Sequence, residues 1–189
     1  MESALIVSRA EKGVAFFTEI LNADSCDEIV ALQSCGEVRR LLLERDFDLV
    51  IINAPLQDET GENLSRHIAL KGASQVILVV KSEYFDEVSA ATEDDGVLVV
   101  AKPINRNVLW ATLKLAKSSQ IRLKRMQVEN IKLKQKIEDI RIIDRAKCIL
   151  ISHLNITEQE AHRLIEKQSM NMRATRRVIA EKVLKTYEN

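Results

Sequence analysis

Few side chains in this 189-residue chain are arranged for covalent chemistry. Cys26, Cys35 and Cys148 have no CxxC spacing and no clustered histidine partner, which argues against a disulfide framework and against a zinc site. The three histidines are scattered, and the sequence holds no glycine-rich phosphate loop and no recognisable motif of paired carboxylates. These features predict a protein that is not an enzyme and that uses no cofactor or metal.

A second set of residues is defined by its position at the ends of short apolar runs in the first half of the chain. Ser8 and Arg9 follow the first run, Asn53 follows the third and Lys102 follows the fifth, while Val80 ends the fourth. If the runs are parallel strands, their carboxyl ends meet at one edge of the sheet, where functional groups collect. We therefore expect these five residues to lie near one another.

The elements that would position these residues follow from the pattern of apolar side chains. The runs alternate with amphipathic stretches of helix length, which is typical of βαβ units, and three of the five predicted strands are apolar at nearly every position. From Asn107 onward the chain has no Gly or Pro, and we predict one long helix to about Leu154 followed by two short helices. The predicted fold class is α/β plus all-α: a five-stranded doubly wound parallel sheet, then a long coiled-coil helix and a three-helix C-terminal module.

The first half of the chain resembles the receiver domain of two-component response regulators. The resemblance covers about residues 1–118 and rests on the order of the elements, on Asp48 to Asn53 at the third strand and on Lys102-Pro103 after the fifth. It implies a flavodoxin-like fold. It also implies a phosphate-accepting Asp after the third strand, two Mg²⁺-binding acids after the first, a Thr or Ser after the fourth and a Lys after the fifth.

Only the lysine of that set is present in this chain. Asn53 stands at the acceptor position, Ser8 and Arg9 stand where the acids would be, and Val80 lies near the hydroxyl position. A neutral amide lacks the carboxylate nucleophile, and a divalent ion that prefers oxygen ligands would meet a guanidinium. We expect a pseudo-receiver without phosphotransfer or metal binding, in which Lys102 is a structural residue that hydrogen-bonds Asn53.

The charge of the chain is divided unevenly between its two halves. Residues 1–103 hold 9 Lys/Arg and 19 Asp/Glu (9 − 19 = −10), and residues 104–189 hold 19 and 9 (19 − 9 = +10). A basic domain concentrates phosphate around it, so a polyanionic partner would bind the C-terminal half. Mutual attraction of the halves, or simply a solvated Lys/Arg-rich helix, is the alternative.

The predicted long helix carries an apolar stripe of coiled-coil type. The stripe alternates three- and four-residue spacings, as the a and d positions of heptads do. It consists of Leu123, Met126, Asn130, Leu133, Ile137 and Ile140. This pattern predicts a parallel homodimer in which Asn130 pairs with its twin and fixes the register. The alternative, supported by Val128 and Ile131 lying off the stripe, is that it packs on the later helices of the same chain.

The C-terminal segment carries a second resemblance. It begins with Arg145 to Ile151, which reads RAKCILI, continues through Leu154 to Ala161 and Ser169 to Arg173, and extends to about Leu184. The segment resembles the ANTAR domain of bacterial transcription antiterminators. A pseudo-receiver, a long helix and this module in this order are similar to the amidase-operon type of antiterminator.

The ANTAR resemblance implies binding to paired short hairpins with small loops in a leader RNA, which prevents a terminator hairpin from forming. Four basic residues in or near the matched segments are candidates for contact with that RNA, namely Lys147, Arg173, Arg176 and Arg177. Lys and Arg donate hydrogen bonds to phosphates, and Arg can stack on unpaired bases. Solvated surface charge is the alternative for all four residues.

The sequence thus predicts a pseudo-receiver over 1–118, a coiled-coil linker over 119–143 and an ANTAR RNA-binding domain over 125–189. The predicted function is an RNA-binding regulator of transcription antitermination, response-regulator-like but not controlled by aspartyl phosphorylation. A response-regulator-like DNA-binding transcription factor is the alternative. The predicted partners are leader RNA, a second copy of the chain and a regulatory protein on the receiver half. No segment approaches the ~20 apolar residues of a membrane span, which predicts a cytoplasmic location.

Overall fold

The first compact unit is an open α/β sheet, seen in a computed structural model that describes residues 1–72 and 74–187. The chain divides into two units between Arg125 and Met126. The elements of the first unit are β1 Ser3–Ser8, α1 Glu11–Ala23, β2 Glu28–Leu32, α2 Cys35–Glu44, β3 Leu49–Asn53, α3 Glu62–Lys71, β4 Gln75–Lys81, α4 Phe85–Thr92 and β5 Leu98–Lys102. They are followed by α5 Arg106–Leu154, α6 Glu158–Met172 and α7 Arg176–Tyr187. The five-stranded sheet and the long helix were both predicted, and both are confirmed.

All neighbouring strands of the sheet are parallel, in the order β2-β1-β3-β4-β5. This is the doubly wound order of flavodoxin-like proteins, in which the strand order reverses between β1 and β3. Consecutive side chains on a strand point to opposite faces, so a strand covered on both faces must be apolar throughout. That requirement explains the unbroken apolar runs in the sequence.

Each face of the sheet has its own core. Leu5, Val50 and Leu78 belong to a cluster that includes residues of α2, α3 and α4. On the opposite face, the neighbouring Ile6 and Ile51 pack with α1 and with the first part of α5. The sheet is therefore sandwiched between two helical layers, as the sequence predicted.

A buried carboxylate attaches α5 to the amino-terminal edge of the sheet. Asp48 accepts a hydrogen bond from the Glu2 N–H at 2.8 Å, and Lys124 Nζ lies 2.7 Å from its other carboxylate oxygen. Burial by itself would raise the pKa of the Asp48 carboxyl, but hydrogen bonds from Lys124, Glu2 and Gln120 outweigh burial and hold the pKa below its usual range. A second pair, Lys117 with Asp24 at 3.1 Å, supports the same stretch of helix.

The second unit is built around alanines. Its core contains Ala146, Ala161 and Ala180, none of which is exposed, together with Leu150, Ile165, Ile179 and Val183. Such small residues allow the helices to approach closely. Thr157 and Glu160 form a capping box at the start of α6, since each side chain accepts a hydrogen bond from the other residue's backbone N–H.

The apolar stripe of α5 does not pack on later helices of the same chain. Met126, Leu133, Ile137 and Ile140 are each more than half exposed. The alternative interpretation of the stripe is therefore wrong for this chain. None of the described helices has an apolar stretch long enough to span a membrane.

The Asp48 attachment predicts that Asp48→Asn lowers the free energy of unfolding by about 1–3 kcal/mol at neutral pH, because the charged hydrogen bond to Lys124 is lost. A depressed folded-state pKa contributes stability above the unfolded value of about 3.9, and this contribution is lost as pH falls through the folded pKa. Denaturant melts of variant and wild type should converge in strongly acidic buffer. The exposed neighbour Asp46→Asn is the matched control, and equal effects of the two substitutions would contradict the assignment.

Candidate nucleic-acid interface and degenerate receiver site

The strand register brings the predicted sheet-edge residues together. Ser8 pairs with Asn53 across β1 and β3, and Asn53 Nδ2 donates a hydrogen bond to Ser8 Oγ at 3.0 Å. Ser8 Oγ in turn donates to the Ala10 carbonyl at 3.1 Å. Arg9 is exposed beside them, and Val80 is buried at the end of β4. The Asn53 amide and the Ser8 hydroxyl thus form a hydrogen-bonded pair at the position where a receiver has its phosphate-accepting Asp.

Helix α1 lies directly against this pair. A Cβ atom added to Gly13 would lie 2.6 Å from both Asn53 Nδ2 and Ser8 Oγ, which is closer than real Cβ contacts allow. Only glycine therefore fits at this position while Asn53 and Ser8 keep their places. The absence of a side chain at Gly13 thus allows α1 to approach the Asn53 and Ser8 side chains closely.

The predicted hydrogen bond between Lys102 and Asn53 is wrong. Lys102 Nζ donates to the Ala54 carbonyl at 2.5 Å instead, and Asn53 Oδ1 is buried without a hydrogen-bond partner among the described residues. Burial, and then the charge of Lys81, lower the pKa of Lys102. Lys81 is its register partner on β4, so two like charges face each other across these strands.

A second cluster on the first unit brings one thiol and two carboxylates together. One ligand atom each of Cys35, Asp58 and Glu59 lies within 4.8 Å of the others. Both carboxylates are already used, because Asp58 accepts the N–H groups of Cys35 and Gly36 at 2.9 and 3.0 Å and Glu59 pairs with Arg39. Burial, and then the nearby carboxylates, raise the pKa of Cys35 to about 12. The cluster therefore holds a loop to the start of α2 and suits a metal poorly.

Three of the four predicted RNA contacts form ion pairs within the second unit. Lys147 is only 15% exposed and lies 2.8 Å from Asp144 and 2.9 Å from Glu158. These two hydrogen bonds raise the pKa of Lys147. A phosphate would therefore have to compete with these two carboxylates for the ammonium group of Lys147.

The two arginines at the start of α7 are also paired. Arg177 donates hydrogen bonds to Asp139 at 2.7 Å and to Glu181 at 2.9 Å, and these two hydrogen bonds raise its pKa. Arg176 has a looser contact with Glu166 at 3.7 Å. The structure thus assigns Arg177 a role in joining α5 to α7, and it leaves Arg176 half-exposed on the surface.

Arg173 differs from the other three residues. It ends α6 with a left-handed backbone, φ 48° and ψ 41°, and its N–H bonds the Met170 carbonyl at 3.2 Å. Its side chain is exposed and has no acidic partner among the described residues. Met170 and Met172, which flank it, are 66% and 52% exposed. Lys182 Nζ on α7 lies 3.9 Å from the Met172 sulfur.

Sequence reasoning missed the two methionines as functional candidates, because a methionine at helical spacing is typical of a core. Two signals were available in the sequence. The turn after α6 lacks the glycine that usually ends a helix, and the surrounding residues are basic. Neither signal shows by itself that the methionine side chains are exposed.

Comparison with known proteins agrees with this two-part architecture. Residues 132–184 match the family model of the ANTAR domain. The chain is 26% identical over 139 residues to the transcriptional regulatory protein PdtaR of Mycobacterium tuberculosis, an alignment that spans 74% of this chain and 68% of that protein.

Solved structures resemble the first unit. The receiver domain of an HD domain-containing protein from Pseudomonas fluorescens Pf-5 is 20% identical, with a TM-score of 0.58 over 66% of this chain and 92% of that one. The response regulator TrrA from Thermotoga maritima is 22% identical, with a TM-score of 0.53 over 61% of this chain and 99% of that one. The chain therefore combines a receiver-like fold with an ANTAR domain.

Proposed function

We propose that this receiver-like and ANTAR-containing chain is a cytoplasmic, RNA-binding regulator of transcription antitermination. The observation that carries the proposal is the ANTAR match over residues 132–184, on a chain whose first unit has a receiver fold. The similarity to a transcriptional regulatory protein along three quarters of the chain supports it. Its RNA ligand is a pair of short hairpins in a leader transcript, and binding prevents a terminator hairpin from forming. The protein acts by binding alone.

The division of charge supports an RNA ligand on the second unit. Residues 104–189 carry an excess of ten basic groups, while residues 1–103 carry an excess of ten acidic groups. Phosphate binding releases counterions, so the affinity of the basic unit for RNA falls steeply as salt rises. An acidic receiver half is repelled by the same RNA, which leaves it available to a regulatory protein partner.

The proposed function predicts a preference for RNA over DNA. The full chain should bind a two-hairpin RNA more tightly than a DNA duplex of equal charge, in gel shifts at several salt concentrations. The reason is that hairpin loops expose unpaired bases, which a duplex hides. Tighter binding to the duplex would instead support a DNA-binding transcription factor, which is the competing function.

We further propose that aspartyl phosphorylation does not control this protein. Asn53 cannot form an acyl phosphate, and its amide is bonded to Ser8 beneath Gly13. Arg9 and Ser8 offer no carboxylate to a divalent ion at this edge of the sheet. Control by a bound protein or by dimer contacts fits these residues better.

The second prediction is that a small-molecule phosphodonor does not label the wild type. Asn53→Asp, which restores a carboxylate, should also stay unlabelled because the acids that hold Mg²⁺ are missing. A receiver that keeps its acceptor Asp is the positive control. Labelling of the wild type that disappears in Asn53→Ala would refute the proposal.

We also propose that α5 forms a parallel homodimer through its exposed stripe. A single helix that displays Met126, Leu133, Ile137 and Ile140 to water leaves apolar area uncovered, and a second copy covers it with matched residues. Asn130 favours a second copy over an unrelated helix, because a buried amide on the stripe is best satisfied by the same amide in register. A dimer would present two ANTAR domains to the two hairpins.

The proposed dimer predicts that a charge within the apolar stripe of α5 disrupts it, while a charge outside the stripe does not. Ile137→Lys, in the stripe, should shift the protein from dimer to monomer in analytical ultracentrifugation. Val128→Lys is the matched control, because Val128 is equally exposed (50% against 52%) but lies off the stripe. Two dimeric variants, or two monomeric ones, would be inconsistent with the proposed seam.

A further inference from the structure

The turn between α6 and α7 holds an arginine in a backbone conformation that favours glycine. A helix commonly ends with a left-handed residue, and that residue is usually Gly or sometimes Asn, because a Cβ atom is unfavourable there. Arg173 adopts this conformation at φ 48°. Non-glycine residues in such conformations are concentrated at functional sites, where the surrounding structure compensates for the strain. The left-handed conformation of Arg173 therefore marks this turn as a candidate functional site.

The same turn exposes two large apolar side chains. Met170 and Met172 are 66% and 52% exposed, although other apolar residues of this unit, such as Ile165 and Ile179, are almost fully buried. The thioether of methionine is polarizable and makes favourable contacts with aromatic rings. Nucleic-acid bases are aromatic rings, and contact with them would remove both side chains from water.

The usual aromatic platforms for bases are scarce in this unit. Tyr187 is its aromatic residue, and its ring lies 5.1 Å from the ring of His153, within the unit. Stacking on RNA must therefore come from arginine or from apolar side chains. Met170, Met172 and Arg173 supply both types within four consecutive residues.

The charges around the turn suit a polyanion. Among residues 1–72 and 74–187 Arg173 has no acidic partner, and the Lys182 ammonium lies beside the Met172 sulfur at 3.9 Å. In contrast, Lys147 and Arg177 are each bonded to two carboxylates. Cations without a carboxylate partner in the described part of the chain therefore lie beside the exposed methionines, where they could attract the phosphates of a single-stranded nucleic acid.

We propose that the surface formed by Met170, Met172 and Arg173 contacts the unpaired bases of an RNA hairpin loop. The two thioethers lie against base faces, and the guanidinium of Arg173 contacts a loop phosphate or stacks on a base. This assignment rests on the RNA-binding function proposed above and adds its contact surface. This surface is expected to contact the loop and not the stem, because an A-form stem offers phosphates and hydroxyls but hides its base faces.

The test compares apolar and charged contributions in the full-length protein. Met170→Gln combined with Met172→Gln should weaken binding to a two-hairpin RNA at least tenfold, within the range of base stacking. The slope of log affinity against log salt should not change, because no charge is removed. Met170→Leu with Met172→Leu is the matched control, and it should retain most of the affinity because the apolar volume is kept.

The RNA provides the second arm of the test. Replacing the loop bases by abasic sites should weaken wild-type binding as much as the double glutamine substitution does. The glutamine variant should then lose little more on the abasic RNA, because the same contact has already been removed. Independent, additive losses would overturn the proposal.

Arg173→Gly separates binding from folding. The substitution removes a cation but relieves the left-handed backbone, so the melting temperature should stay the same or rise. Affinity should fall, and the salt slope should decrease by about one if a phosphate contact is lost. Lys147→Ala is the contrasting variant, and it should lower the melting temperature with little change in that slope.

Different failures have different meanings. If wild type binds no hairpin RNA, the proposed function itself is wrong. If wild type binds but the glutamine variant binds equally well, RNA binding stands and this contact surface is wrong. If the glutamine variant changes the oligomeric state in ultracentrifugation, the methionines form a protein contact and the proposal is also overturned.

Discussion

The continuous helix α5, Arg106–Leu154, is the constraint on which both units depend. Its first turns supply Leu109, Leu113 and Ala116 to one core of the sheet, and its last turns supply Ala146 and Leu150 to the alanine-rich core. Between these stretches the helix has no core of its own, and its apolar residues are exposed. A helix of this length is stabilised mainly by what covers its apolar face, which is the physical reason for the homodimer proposed above. The Asp48–Lys124 pair lies at the end of the part of α5 that belongs to the first unit.

The balance of charges explains which cations are available for RNA. A lysine or arginine that is paired with carboxylates is held in place by them, and a phosphate must compete with them for its charged group. Lys147 and Arg177 are of this kind, and their raised pKa values record the same pairing. Arg173 and Lys182 lie where no acid is within reach among the described residues. A basic unit can thus use part of its charge for folding and part for binding.

The sheet edge combines a receiver-like fold with neutral side chains at the carboxyl ends of β1 and β3. Ser8 and Asn53 are neutral, and α1 approaches their hydrogen-bonded pair closely at Gly13. Lys102, which has no anion to bind, turns to a backbone carbonyl. The first unit therefore keeps the strand order of a receiver, with neutral side chains at the position of the acceptor. An acidic surface of this kind is suited to protein contacts.

The sequence by itself determined the secondary structure, the parallel sheet, the long helix and the Thr157 cap, because periodicity and capping are local properties of the chain. It also identified the two domain types, through residue runs such as RAKCILI. Only the tertiary structure decided the partners of individual polar groups. Lys102 donates to the Ala54 carbonyl and not to Asn53, and Lys147 pairs with Glu158 of α6 in addition to Asp144, which is three residues before it on α5. Exposure of Met170 and Met172 was likewise decided by packing, since a methionine has the same spacing in a core as on a surface.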